Sequence, residues 1–200
     1  MEKKNLWIMV GYPGSGKTYF AKHNLMIGPG WRYISRDEIR FSFLKDGEKY
    51  FSHEKEVYNN FISKIRSALN EEGIFNVIAD ATHLNQNSRQ KLLHNIKNIY
   101  KNFDNLNLIP VVIICDIPTA IKRNEKRSNY ERVDNNVIKK MASQLTDPKD
   151  DSIEYSSIMY VENGTKITTI EKPRFMYKKN EPKIKEYSIC NVIKKEDIYK

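Results

Sequence analysis

Eight residues near the start of the chain, Gly11-Tyr12-Pro13-Gly14-Ser15-Gly16-Lys17-Thr18, fit G-x-x-x-x-G-K-[ST], the spacing of a phosphate-binding P-loop. The residue types follow from that task. Gly11, Gly14 and Gly16 let the backbone wrap closely, so that successive N–H groups around Ser15 can point at a phosphate. A helix starting near Gly16 adds its positive dipole end. Lys17 can reach the β- and γ-phosphates of ATP, and the Thr18 hydroxyl can ligate Mg²⁺. The plain alternative is a glycine turn that happens to precede Lys-Thr. The flanks argue against it: Leu6-Trp7-Ile8-Met9-Val10 is an apolar run of strand length, and Tyr19-Phe20-Ala21-Lys22 can continue as helix.

Three more groups could do chemistry, and each follows a strand-like run. Arg36-Asp37-Glu38-Ile39-Arg40 comes after Trp31-Arg32-Tyr33-Ile34-Ser35. Asp37 and Arg40 are one helical turn apart and share a side. A carboxylate there could accept the proton of an attacking hydroxyl, and an arginine beside it could hold its charge and touch the transferring phosphoryl group. An N-cap aspartate among surface charges would look the same. Asp80 closes the apolar run 74–80 and could order Mg²⁺ waters. Beyond it, Thr82 and Asn85 could hydrogen-bond a substrate, although Asn85 reads better as the cap of the next helix; His83 reads as structural or exposed. Last, Arg123 and Arg127 are four apart, a spacing that puts both on one helix face. With the polar stretch to Arg132 they suit a lid, about 123–133, that brings guanidinium groups onto phosphates. A solvated basic helix end is the alternative.

The elements that must position these groups alternate. A first helix runs to about Asn24, where Gly28-Pro29-Gly30 breaks the chain. Val57, Tyr58, Phe61, Ile62, Ile65, Ala68 and Leu69 recur at helical spacing, and so do Leu92, Leu93, Ile96, Ile99 and Tyr100. The run 111–116 is continuously apolar, as a strand covered on both faces is. Helices are expected over 119–126 and from Asp134 to Leu145. This alternation implies an α/β fold, a parallel sheet with helices on both faces. Asn163-Gly164 between 158–161 and 166–170 signals a β-hairpin. The division expected is one domain over 1–162 and a small basic extension over 163–200.

A chain of 200 residues suits one domain with a small appendage. The net charge of +9 favours an anionic partner, although a lysine-rich solubilising surface would give the same figure. Cys115 and Cys190 form no C-x-x-C pair, and Cys115 sits in an apolar run and reads as core. The first strand is too short for a signal-peptide core or membrane span, which leads to the expectation of a reducing cytoplasm and no membrane. Oligomeric state is not legible.

The P-loop, Ser35-Arg36-Asp37-Glu38-Ile39-Arg40, Asp80-Ala81-Thr82-His83-Leu84-Asn85 and the segment to Arg127 come in an order that resembles the phage-type polynucleotide 5′-hydroxyl kinases and the small, AAA-like P-loop kinases around them. The resemblance covers most of residues 5–162. It implies transfer of the γ-phosphoryl of ATP, with Mg²⁺, to a 5′-hydroxyl of DNA or RNA. It makes Asp37 the general base, with Lys17, Arg40 and Arg127 assisting the transfer, Arg123 on the donor phosphates, and Arg36 and Thr82 near the acceptor. Ala81 stands where those enzymes carry an acidic residue, and no D-x-D-x-T phosphatase signature occurs. Two other readings keep the P-loop: a kinase of a small molecule such as a sugar nucleotide or antibiotic, and a nucleotide-binding module that hydrolyses ATP slowly. The second has no use for a base at Asp37.

Overall fold

Burial alternates along the strands, and the alternation decides which helices cover which face. The computed structural model describes residues 3–128, 131–162, 166–171 and 183–188. In β1 (Lys4–Val10), Leu6, Ile8 and Val10 enter one apolar cluster and Met9 another. β3 (Asn76–Asp80) sends Val77 and Ala79 one way and Ile78 the other, and β4 (Leu106–Ile114) divides Leu106, Leu108 and Val112 from Val111 and Ile113. Period two on a sheet buried on both sides gives this division. The larger cluster is closed by α2 (Arg36–Phe43), α3 (Glu54–Asn70) and α4 (Gln86–Lys97), through Ile39, Phe61, Ile65, Leu92 and Ile96. The smaller is closed by Phe20, Ala21 and Leu25 of the first helical segment. A third cluster joins Tyr12 and Leu84 to Ala120 of α5 (Ile117–Glu125) and Ile138 of α6 (Asn135–Ser143).

The sheet order is β2-β3-β1-β4-β5-β6-β7, with β2 (Trp31–Ser35) at one edge and β5 (Ser157–Glu162) following β4. All pairings from β2 to β5 are parallel. β6 (Lys166–Glu171) and β7 (Lys183–Ser188) add antiparallel. The expected α/β architecture is therefore present, and the C-terminal strands continue the same sheet. The turn at Asn163-Gly164, Cys190 and the rest of the basic extension lie outside the described residues. Among the described residues, no helix is long and apolar enough to cross a membrane.

Three elements differ from the sequence expectation. The first helix is a short α-turn, α1 (Lys17–Phe20), that widens into a π-helical turn over Ala21–Leu25. Its mark is the Met26 N–H donating to Ala21 O at 3.2 Å, five residues back. β4 begins at Leu106 rather than Val111 because Pro110, a residue that argues against a central strand, is tolerated. The Leu108 carbonyl accepts from Ser156 N on the β5 side at 3.0 Å. Two residues on, Pro110 turns its donorless nitrogen to that same side, where the ladder with β5 starts only at Val111. β7 was not expected at all: Lys183, Lys185 and Glu186 mask its alternation, and charges of this kind suit an edge strand.

A buried ion pair ties the tail of the parallel sheet to the loop after β3. Arg89 is fully buried and bonds both oxygens of Asp151, at 2.6 and 2.7 Å, Thr146 Oγ1 at 2.9 Å and the His83 carbonyl at 2.9 Å. The Tyr155 hydroxyl donates to Asp151 Oδ2 at 2.7 Å, and burial with the neighbouring carboxylate pushes that phenol's pKa up. Removing one partner leaves the other charge uncompensated. Arg89→Met should therefore cost about 3–5 kcal/mol in chemical denaturation, and adding Asp151→Leu should recover much of the loss. A double variant no more stable than the single one would contradict the pairing as the cause.

Candidate active site

Parallel strands share a direction, so β1, β2, β3 and β4 end on one edge, and each sequence-predicted group lies there. The loop after β1 is stitched on both sides. Gly11 N donates to Thr82 O at 3.0 Å, and the Tyr12 hydroxyl donates to the Cys115 carbonyl. Gly14, at φ +80°, passes so near α5 that a Cβ would stand 2.3 Å from the Ala120 carbonyl oxygen. Gly16, at φ +108°, starts α1, a conformation that side chains with a Cβ rarely adopt. Within the loop the buried Ser15 Oγ has no hydrogen-bond partner. Arg123 Nη1 donates to Ser15 O at 3.1 Å and approaches Cys115 Sγ at 3.6 Å. Cys115 is thus a free, half-buried thiol just past β4 and not a core residue.

Lys17 Nζ folds back on the Tyr12 carbonyl at 3.1 Å. Burial lowers its pKa, Asp80 and Asp37 pull it back up, and Arg127 pushes it down again. Thr18 Oγ1 donates to Asp80 Oδ2 at 2.8 Å, and the Tyr33 hydroxyl donates to the same oxygen at 2.5 Å. Burial and the Asp80 charge push the Tyr33 phenol up. A threonine hydroxyl and a carboxylate are hard oxygen donors, few in number. That set fits Mg²⁺, which keeps several waters and takes further ligands from phosphates. A looped row of amides, an orphaned hydroxyl and a half-buried ammonium fit the phosphates of a nucleotide.

At the end of β2, Ser35 takes the cap: its Oγ accepts from Glu38 N at 3.2 Å. Asp37 is left with another use and is 62% exposed. The Arg40 side chain, only 6% exposed, donates from Nη1 to Asp37 Oδ1 and to the Tyr50 hydroxyl, and from Nη2 to Glu54 Oε1 at 2.7 Å. Tyr50 donates on to Asp37 Oδ1 at 2.9 Å, and Arg36 Nη2 to Glu54 Oε2 at 3.0 Å. Glu54, the first residue of α3, thus holds one arginine on each oxygen. Its sequence context gives only the acid expected in a helix's first turn, and the pairing with Arg36 and Arg40 comes from the packing of α3 on α2.

The other predicted residues sort as follows. Thr82 sits beside the loop through its carbonyl. Asn85 caps α4 with Ser88 in a capping box. His83, at φ 41°, is buried with Nε2 unpartnered. Arg127 lies past the end of α5 and not on a shared face with Arg123. The loop that follows is closed at its base by the buried Asn124, whose side chain donates to Val133 O at 2.7 Å and accepts from Val133 N at 3.0 Å. Tyr33, Tyr50, Glu54 and Asn124 carried no motif signal.

A protein-family profile described as AAA domain matches residues 6–148. The chain belongs to that family. Solved structures of similar fold include a chain of the Pnkp1/Rnl/Hen1 RNA repair complex, 24% identical with a TM-score of 0.59, covering 72% of this chain and 45% of that one. A fungal RNA kinase is 14% identical with a TM-score of 0.51, over 81% of this chain and 78% of that one. The tunicamycin resistance protein of Deinococcus radiodurans is 14% identical with a TM-score of 0.51, over 78% and 87%. This chain thus spans less than half the length of the RNA-repair chain. No curated protein sequence matches it. The AAA-domain fold here is that of the small P-loop kinases.

Two outcomes are expected of this P-loop site. Glu54→Gln should loosen Arg36 and Arg40 and lower turnover by roughly ten- to a hundredfold, the size of effect a small misplacement causes. Nucleotide affinity by calorimetry should stay within about twofold; unchanged turnover would show that Glu54 positions nothing. Burial lowers the His83 pKa from 6.5 to about 3, with Arg36, Arg89 and Lys17 adding to it. The unfolded chain therefore binds that proton more readily below 6.5, and the fold loses stability as pH falls from 6.5 towards 3. Between about pH 7 and pH 5 the loss from this one group is about 2 kcal/mol. Asn tolerates the left-handed backbone, so His83→Asn should flatten that slope in denaturant titrations; an unaltered slope would contradict it.

Proposed function

We propose that this protein transfers the γ-phosphoryl group of ATP to a hydroxyl, and that the acceptor is the 5′-hydroxyl of a polynucleotide. The observation that carries the first part is the P-loop with its hydroxyl–carboxylate pair: Gly14 and Gly16 hold the loop at positive φ, Lys17 opens α1, and Thr18 Oγ1 donates to Asp80 Oδ2 at 2.8 Å. A phosphate-binding ammonium, hard oxygens suited to Mg²⁺ and a carboxylate on the same sheet edge are what in-line transfer needs.

In this reading the donor phosphates lie along Gly11, Gly14, Ser15 and Gly16, with Lys17 on the β- and γ-oxygens. Arg123 closes on the same phosphates. Thr18 and Asp80 would hold Mg²⁺, which when bound would supply charge neutralisation at the phosphates. Asp37 accepts the proton as the acceptor oxygen attacks phosphorus and the bond to the β-phosphate oxygen breaks. Arg40 spends both terminal nitrogens inside the protein, so it acts by fixing the aim of Asp37. Arg127 neutralises charge on the transferring group, and Arg36 and Thr82 border the acceptor. Positioning and electrostatics do most of the work.

The acceptor class rests on charge and on likeness. The whole chain is +9, and residues 163–200 carry ten Lys or Arg against five acidic residues. RNA-repair and RNA-kinase structures share the fold. So does a tunicamycin resistance protein, which makes a small-molecule acceptor the reading to separate. The experiment offers labelled ATP with 5′-hydroxyl DNA and RNA oligonucleotides, nucleosides, sugar nucleotides and aminoglycosides. Label should go to the oligonucleotides, and their affinity should fall with salt at a log–log slope of about −0.7 per phosphate contacted. Asp37→Asn should abolish most of that labelling with ATP affinity kept. Label on a small molecule alone would overturn the acceptor and keep the kinase.

A further inference from the structure

Beside the candidate base stands an aromatic cluster that the phosphoryl-transfer scheme does not use. The segment between α2 and α3 carries Tyr50 and Phe51 in succession. Their rings meet edge to face, 4.8 Å between centroids at 89°, and Phe41 of α2 meets Tyr50 at 6.1 Å and 69°. The Tyr50 hydroxyl is on Asp37, and the Arg40 guanidinium lies over the Tyr50 ring at 4.4 Å and over the Phe51 ring at 5.6 Å. Phe51 remains 60% exposed.

A single exposed aromatic means nothing by itself. This one is fastened, through one ring, to the carboxylate that meets the attacking hydroxyl. The segment is also held in shape before anything binds. Glu48 accepts from Lys45 N and pairs with His53 Nε2, each at 2.9 Å, and Ser52 N donates to Lys49 O at 3.0 Å. A preformed ring surface over a cation recognises a flat π-system, and any base has one. The local charges argue against a cationic acceptor: Asp37 and Glu54 are already bonded to arginine, and Glu48 to Lys45 N and His53.

We propose that Phe51, backed by Tyr50 and Arg40, is the stacking platform for the terminal nucleobase of the acceptor strand. This rests on the polynucleotide reading above and gives it a base-binding subsite, without base preference. Steady-state kinetics on three proteins, wild type, Phe51→Ala and Phe51→Trp, use two oligonucleotides: one ordinary, one abasic at the 5′-terminal position. Phe51→Ala should raise KM for the ordinary strand about tenfold with kcat and ATP affinity kept. Phe51→Trp should restore wild-type KM. The abasic strand should bind wild type as weakly as the ordinary strand binds Phe51→Ala, and the alanine change should add nothing to it. Equal KM for wild type and Phe51→Ala on the ordinary strand, with both phosphorylating it, would overturn the platform alone. A wild type that labels no oligonucleotide would overturn the platform together with the acceptor assignment.

Discussion

The parallel direction of β1 to β5 is the constraint from which the rest of the structure follows. Strands that share a direction share an edge for their C-terminal ends, so four loops of unrelated sequence are delivered to one place. The P-loop then has to pass between two of them. On one side it meets the Thr82 carbonyl, on the other the backbone of Ala120, and at Gly14 there is no room for a side chain. The glycines therefore serve the packing of the loop as much as its approach to phosphate.

Charge is arranged around that loop in two layers. Lys17 and Arg123 lie against the P-loop backbone, on the Tyr12 and Ser15 carbonyls. Arg36, Arg40 and Arg89 are spent on the protein's own carboxylates: Glu54, Asp37 and Asp151. The inner layer costs desolvation and gives geometry in return: Arg40 and Arg89 each have both terminal nitrogens bonded, which leaves them little freedom. Asp37 is the point where the layers meet. It is exposed enough to receive a substrate, and its direction is set by Arg40 and Tyr50. The neutral His83 sits among three of these cations without adding to their charge.

Local patterns carried much of this. The P-loop, the strand ends at Ser35 and Asp80, and the caps at Asn85 and Asp134 depend on neighbours within a few residues, and such signals survive in a sequence. Glu54, Tyr33 and Tyr50 do not announce themselves, because their meaning lies in contacts across 13 to 47 positions. The Arg89–Asp151 pair spans 62 positions and reads in sequence as two surface charges. β4 reaches back through Pro110 to Leu106, against the local rule that keeps proline out of central strands, because on the β5 side the ladder starts only at Val111. Arg127 left the face it should have shared with Arg123 because α5 stops at Glu125.

The central claim is geometric: the phosphate cradle and the Asp37 carboxylate address the two ends of one transfer. A crystal structure with a non-hydrolysable ATP analogue and Mg²⁺ tests it most directly. The account predicts the γ-phosphate between Lys17 and Asp37, the ion on Thr18, and Arg127 drawn onto the phosphates. A nucleotide whose γ-phosphate points away from Asp37, with that carboxylate still turned to Arg40 and Tyr50 and open only to solvent, would contradict it.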